Sequence, residues 1–351
     1  MEELKKEVIE LLKKLIETPS ISRDESKTAD LIEQFLTTKG FFPQRSGNNV
    51  WVSHSNGQSL PTILLNSHHD TVKPNPKWVS DPFQAKLEGD TLTGLGSNDA
   101  GGPLMALLAT FIHLTQTEQA YNLIFAATAE EEVSGKNGVE SILTELGEIR
   151  LGIVGEPTQS QMAIAEKGLM VIDGEAIGKA GHAARNEGTN SIYLAMEDIA
   201  WFKNYRFPKI SEVLGEIKMS VTQIEAGSQH NVVPASCKFV VDVRTTETYS
   251  NQEVFEIIKE NVKSEVKARS FRLNSSGISL DHPIVKKGTE LGLSYYGSPT
   301  LSDQALMPFT TIKMGPGDSA RSHTAEEYIL LSEIKSGIDW YVKLLDGLEL
   351  G

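Results

Sequence analysis

Residues 122–129, Asn-Leu-Ile-Phe-Ala-Ala-Thr-Ala, form an apolar run of strand length that delivers three consecutive carboxylates, Glu130, Glu131 and Glu132. Three anions side by side at the mouth of a core repel one another and lose hydration unless a cation or a proton shift compensates. A metal ion is the simplest such cation. Taken alone, the three glutamates read more readily as a solvated acidic turn. Two other apolar strands end in the same way: 62–66 runs into Ser67-His68-His69-Asp70, and 151–154 runs into Gly155-Glu156-Pro157-Thr158. A glycine-rich loop at 94–103 carries Asp99, and Gly315-Pro316-Gly317 precedes His323. The carboxyl ends of strands are where open α/β sheets place their sites.

Together, His68, Asp70, Asp99, Glu131, Glu132, Glu156 and His323 are a set of imidazoles and carboxylates without sulfur. That chemistry suits zinc, or a similar first-row divalent ion, in a catalytic rather than a structural site. It also matches a pair of ions about 3.5 to 4 Å apart with one carboxylate bridging them. The Gly-x-Gly of the 94–103 loop is a poor dinucleotide fingerprint. Its third glycine is wrongly spaced, no long strand precedes it, and Asp99 would repel a pyrophosphate.

The elements that must carry these residues follow from periodicity. The chain has 351 residues, enough for two domains, with 39% hydrophobic and 23% charged residues. Helices are expected at 2–16, 26–39, 104–115 and 138–146, and strands at 49–53, 62–66, 122–129 and 151–154. From 166 the texture changes to the alternating strands 169–177, 218–225 and 237–244 with a helix at 191–201, as in a sheet with helices on one face. Beyond Asn274-Ser275-Ser276-Gly277 the first style returns, with a strand at 310–314 and a final helix at 331–345. The expected fold is α/β, a mixed sheet flanked by helices, with an inserted α+β domain. The expected domains are 1–164 with 278–351, and 165–277.

A net charge of -14 argues against nucleic acid. No apolar run is long enough to span a bilayer, and 1–16 reads as an amphipathic helix rather than a signal peptide. The single cysteine, Cys237, rules out a disulfide framework and a thiolate metal site, and a cytoplasmic location is the expectation.

These motifs resemble the zinc-dependent amidohydrolase and exopeptidase family that includes acetylornithine deacetylase, succinyl-diaminopimelate desuccinylase, aminoacylase and carboxypeptidase G, nearly end to end. The His-x-Asp of that family stands here as His68-His69-Asp70, its Gly-x-Gly-Ser-x-Asp as Gly94 to Asp99, and its Glu-Glu pair as Glu131-Glu132. Its Gly-Glu-Pro-Thr is Gly155 to Thr158, and its terminal Gly-Pro-Gly with a following histidine is Gly315 to His323. The resemblance implies two zinc ions, for which cobalt can substitute. It makes His68 and Glu156 ligands of one ion, Glu132 and His323 ligands of the other, and Asp99 the bridge. Asp70 would stand behind His68, accepting its other ring N–H. Glu131 would be the general base. The Asp99–Ala100 peptide bond would be cis.

By the same resemblance the insert is a lid and dimerisation domain, giving a homodimer. Gly178 to Ala184 resembles the segment whose histidine, here His182, stabilises the oxyanion from the partner subunit. Asn231-Val232-Val233-Pro234 and Asp242-Val243-Arg244 resemble segments that hold the substrate's free carboxylate through Asn231 and Arg244. Taken alone, Arg244 is equally a surface charge on a strand. Two positions depart from the family pattern: His69, which strand alternation turns away from His68, and Glu130, where aspartate is usual and which reads as supporting. His54, His113, His230 and His282 fit no motif.

The resulting expectation is hydrolysis of the amide bond of a small N-acyl amino acid, most like N-acetylornithine in arginine biosynthesis. N-succinylornithine, N-acetylcitrulline, succinyl-diaminopimelate or a small peptide are alternatives, and Asp303 is a candidate to meet a cationic substrate side chain. Two rivals are a catalytically silent binding protein that would have lost Glu131 or a ligand, and a single-domain di-zinc aminopeptidase that would lack the insert.

Overall fold

Apolar strands bounded by amphipathic helices call for a sheet buried on both faces. The computed structural model of the protein describes residues 1–185 and 187–350, so the final position of the expected 278–351 segment lies outside the described residues. In chain order its elements begin with α1 (Glu2–Ile16), α2 (Ser26–Thr38), β1 (Gln44–Ser46), β2 (Asn49–His54), β3 (Thr62–His68), β4 (Lys86–Glu88) and β5 (Thr91–Thr93). Next come α3 (Gly102–Leu114), β6 (Asn122–Thr128), α4 (Leu143–Leu146), β7 (Leu151–Gly155), β8 (Met162–Glu166), β9 (Gly168–Ile177), β10 (Gly181–His182) and α5 (Ser191–Asn204). The chain continues through β11 (Lys218–Ala226), β12 (Val232–Val233), β13 (Ser236–Thr245), α6 (Asn251–Asn261), β14 (Glu265–Ala268) and β15 (Ser276–Gly277). It ends with α7 (Pro283–Glu290), β16 (Tyr295–Ser298), β17 (Thr311–Met314), β18 (Tyr328–Leu330) and α8 (Leu331–Leu345). Two compact units result, one of Met1–Ile164, Gly277–Tyr296 and Ser302–Gly351, the other of Ala165–Ser276 and Gly297–Leu301.

The first unit is built on a mixed sheet in which β1, β2, β6, β3, β7, β17 and β8 lie in that order. Its centre is parallel, β6 with β3, β3 with β7 and β7 with β17, while β2 and β8 run antiparallel to their neighbours β6 and β17. The pleat divides the apolar runs between two cores. Ile63, Leu65, Leu123, Phe125 and Ala127 pack with α1, α3 and α8, whereas Leu64, Ile124 and Ala126 pack with Trp51, Val139, Ile142 and Leu146. Helix α3 is buried on nearly all sides, with only His113 partly exposed, as its largely apolar sequence requires. Truncating one of its leucines, such as Leu107, to alanine would cost about 2–5 kcal/mol. Because the four central strands are parallel, His68, the 130–132 turn, Glu156 and the 315–323 loop all emerge from one edge.

The second unit is an antiparallel sheet in the order β11, β13, β9, β14. One face buries Met170, Ile172, Phe239, Val241 and Val243 against Ala195 and Phe202 of α5 and Val254 and Ile258 of α6. The other face carries charged side chains, among them Asp173, Lys238, Asp242 and Arg244.

Several elements differ from the sequence expectation, among them two helical segments. The helix expected at 138–146 is a 3-10 turn followed by the four-residue α4. Ser141 there bonds its hydroxyl to the Gly138 carbonyl at 2.7 Å, and Gly147 ends the helix at φ +75°. Helix α6 was not expected, although it opens with a full capping box between Ser250 and Glu253.

Candidate metal centre

Strand register sets the depth of each donor. In the β3–β6 pair His68 lies opposite Thr128, so the histidine and the 130–132 turn leave the sheet at the same level. His68 is buried, and its Nε2 lies 3.2 Å from Asp99 Oδ1, 3.8 Å from Glu156 Oε1 and 3.9 Å from Glu131 Oε2. His323 Nε2 lies 2.8 Å from Glu132 Oε2 and 3.6 Å from Asp99 Oδ2. Asp99 therefore offers one oxygen to each imidazole. The turns that present these groups are conformationally demanding: Glu130, Ser134 and His323 take left-handed backbone at φ +55°, +45° and +59°, the kind of deviation that clusters at functional sites. The Asp99–Ala100 peptide bond is cis.

Asp70 lies behind this layer. Its main-chain carbonyl accepts from His68 Nδ1 at 3.0 Å, closer than its carboxylate at 3.4 Å, so the backbone shares the task of fixing the His68 tautomer. The carboxylate accepts from the N–H groups of Glu131 and Glu132 at 3.1 and 3.2 Å and from the Ser22 hydroxyl at 2.7 Å. One buried acid thus ties the end of β3 to the turn after β6. His69 points the other way, with Nε2 2.9 Å from the Asn48 carbonyl and Nδ1 2.9 Å from the Thr28 hydroxyl. Burial pushes its pKa down to about 4 and keeps the ring neutral.

The electrostatics show what it costs to gather these groups. Burial raises the Glu131 carboxyl well above its usual range, and Glu156, Asp303 and Glu132 add to this against the pull of His68. Burial, with Asp99 and Glu132, pushes Glu156 up to about 8 against His68 and Lys313. Burial opposes charge on His68, yet Asp70, Asp99, Glu131 and Glu156 lift its pKa well above the ordinary value. Glu132, foremost, holds His323 up to about 9. Buried acids facing one another with raised proton affinity are stabilised by a divalent cation. Among the described residues, His68, Glu131 and Glu156 form one group with ligand atoms within 4.8 Å of one another, and His68, Asp99 and Glu132 form a second. Nitrogen and oxygen donors of this kind fit a first-row divalent ion; Glu131, expected as the base, falls in the first group, and His323 falls in neither.

Asp303 is not where a substrate side chain would meet it. It is only 3% exposed, and its Oδ2 accepts from Asn66 Nδ2 at 2.9 Å and the Thr128 hydroxyl at 2.8 Å. Burial pushes its pKa up to about 6. It braces β3 and β6 just below the site. Glu327 was also missed. It is buried beside Asp99, and the signal available in the sequence was an acid directly preceding the short apolar run Tyr328–Leu330.

The remaining expected residues lie on the second unit. His182 pairs with Val232 in the short β10–β12 ladder, and its Nδ1 accepts from the Ala184 N–H at 3.1 Å. The ring proton of the neutral form therefore sits on Nε2, leaving an exposed donor. Asn231 adjoins this ladder, its carbonyl accepting from the Ala183 N–H at 3.0 Å. Arg244 is half-buried on β13 and paired with Asp242 through Nε at 2.8 Å and Nη2 at 3.1 Å.

The parallel-centred sheet and its neighbouring loops thus gather two imidazoles and several largely enclosed carboxylates into one cluster, the donor chemistry of a divalent-metal centre. The chain belongs to peptidase family M20/M25/M40, whose sequence profile matches residues 64–347. It is 27% identical to acetylornithine deacetylase of Proteus mirabilis, over 93% of this chain and 93% of that one. It is also 27% identical to a [LysW]-lysine/[LysW]-ornithine hydrolase of Sulfurisphaera tokodaii, over 98% and 96%. Among solved structures it resembles the YXEP protein of Bacillus subtilis, described as a dinuclear metal binding peptidase, with a TM-score of 0.75, 16% identity and 98% of each chain covered. Among the described residues no helix is long and apolar enough to cross a membrane.

Proposed function

We propose that the protein hydrolyses the amide bond of a small N-acyl amino acid, with N-acetylornithine as the leading substrate and a place in arginine biosynthesis in the cytoplasm. The observation that carries this reading is the position of Asp99, with one carboxylate oxygen toward His68 and the other toward His323. In this reading His68 and Glu156 would hold one zinc ion, Glu132 and His323 would hold the other, and Asp99 would serve both. When bound, such ions polarise the substrate carbonyl and lower the pKa of water.

The chain's own residues do the rest. Glu131 lies 3.9 Å from His68 Nε2, and its raised proton affinity suits a group that takes a proton from the attacking water. As the C–N bond breaks, that proton passes from Glu131 to the departing amine, leaving a carboxylate and an amino acid. Asp70 holds the Glu131 and Glu132 backbone in place for this transfer. His182 donates its Nε2–H to the developing oxyanion, reaching the site of the partner subunit in a homodimer formed through the second unit. Arg244, its guanidinium oriented by Asp242, grips the substrate carboxylate together with Asn231.

The test is turnover of a panel of N-acetyl and N-succinyl amino acids and dipeptides by the zinc-loaded protein. N-Acetylornithine should be hydrolysed with the highest kcat/KM. Cleavage of dipeptides with every acyl amino acid left intact would refute the proposal in favour of a peptidase.

A further inference from the structure

One buried acid outside the proposed ligand set grips the loop that carries Asp99. Glu327 is 2% exposed, and its Oε1 accepts from the Asn98 N–H at 2.9 Å and the Asp99 N–H at 3.0 Å. Its main-chain carbonyl accepts from the Gly94 N–H at 3.0 Å. A second grip comes from Asn98 itself. Its side-chain amide donates to the Asp318 carbonyl at 3.0 Å, and its Oδ1 accepts from the Asp318 N–H at 3.0 Å, reproducing one rung of an antiparallel ladder. The approach requires Gly317, where a Cβ would stand 2.5 Å from Asn98 Oδ1 at φ +91°. The Asp99 loop is thus fastened at two points to the segment that also carries His323.

A loop containing Gly94, Gly96, Gly101 and Gly102 has more backbone freedom than most, and a carboxylate placed on it is only as well aimed as the loop is held. Leaving the buried Asn98 N–H without an acceptor is costly, so the Glu327 contact helps to select this loop conformation alongside the Asn98–Asp318 pairing. We infer that Glu327 is a positioning residue: by gathering the Asn98 and Asp99 N–H groups on one oxygen, it fixes the Asp99 carboxylate between His68 and His323 and so sets how firmly the metal ions are retained. This rests on the reading of Asp99 as a metal ligand.

The experiment compares the zinc-loaded wild type with E327L, E327D, E327Q and D99N, by zinc content after dialysis and by the rate of zinc transfer to a chromogenic chelator, with thermal melting as a control for folding. E327L lacks the acceptor and E327D keeps the charge without the reach. Both should lose zinc about 10- to 100-fold more readily, the usual effect of removing a residue that orients a ligand. E327Q keeps an acceptor oxygen and should stay within about fivefold of wild type, the scale of one ordinary hydrogen bond. D99N should lose zinc at least as readily as E327L. If D99N releases zinc while E327L and E327D retain it as wild type does, the positioning role is overturned and Asp99 remains a ligand. Wild-type retention in D99N overturns the ligand reading, and the positioning role with it. Should E327L fail to fold, the order of E327D and E327Q decides, and E327Q releasing zinc as fast as E327D overturns the inference.

Discussion

At the strand ends of the first unit acids face acids, and on the open sheet face of the second unit acids face bases. Glu131, Glu132, Glu156 and Asp99 converge in a partly buried space, and desolvation there raises the proton affinity of all but Asp99, whose contacts with His68 win over it. On the second unit Arg269 pairs with Asp173 through two contacts of 2.9 and 2.7 Å, Arg244 pairs with Asp242, and Lys238 stands between Glu225 and Glu175 in the strand register. Charges that the chain balances for itself require no further partner. Charges that it buries without balance mark where something must be bound, and this difference locates the chemistry better than any single residue type.

The contrast can be broken most directly at Glu131. Glu131→Gln preserves shape and removes the proton acceptor, so kcat should fall by about 10²- to 10⁴-fold with metal content unchanged, as followed by single-turnover assay and elemental analysis. Activity near wild type would remove Glu131 from the mechanism. His182→Ala should lower kcat by about 10²- to 10³-fold with little change in zinc content. Co-expression of His182→Ala with Glu131→Ala, followed by purification of the mixed dimer, should restore about half the activity of a wild-type dimer, because one of its two sites is then complete. A mixed dimer as inactive as its parents would place His182 within its own chain.

Arg244 sharpens the comparison, since it belongs to the balanced set and yet is assigned a substrate. Arg244→Lys loses the planar fork, and KM for substrates with a free carboxylate should rise about 10- to 100-fold while their carboxamides are unaffected. The smallest effect is expected at the exposed pair: Asp173→Asn should change unfolding free energy in urea by no more than about 1 kcal/mol and leave kcat untouched. A larger loss there would mean that the outer face of the second unit is not self-sufficient.

Much of the first unit was legible in the sequence because its strands are buried on both faces and end abruptly in acids or histidine. Continuous apolar runs such as Leu123 to Ala127 admit few alternatives, and the positions of His68 and Glu156 follow from them. What remained hidden depends on contacts across long stretches of chain. Asp303 reads as a candidate for a cationic substrate side chain because nothing local reveals that Asn66 and Thr128 hold it in the interior. Glu327 bonds backbone more than two hundred residues away, and no spacing rule connects it to Asn98. The 138–146 segment misled because Ser141 satisfies local carbonyls with its side chain, a competition that apolar periodicity cannot register.

The place of β17 in the sheet has a consequence for biosynthesis. This strand lies between β7 and β8, yet it belongs to the last part of the chain, after the whole second unit. While the ribosome is still making the second unit, the growing chain already holds β3, β6 and β7, and the flank of β7 awaiting Thr311–Met314 is an unpaired, apolar edge. Such an edge is a template for pairing with another nascent chain, and the long closure needed to cover it slows folding. The protein is therefore most prone to aggregate in the interval before Thr311–Met314 emerges, and chains truncated before Thr311 would lack both a central strand and His323.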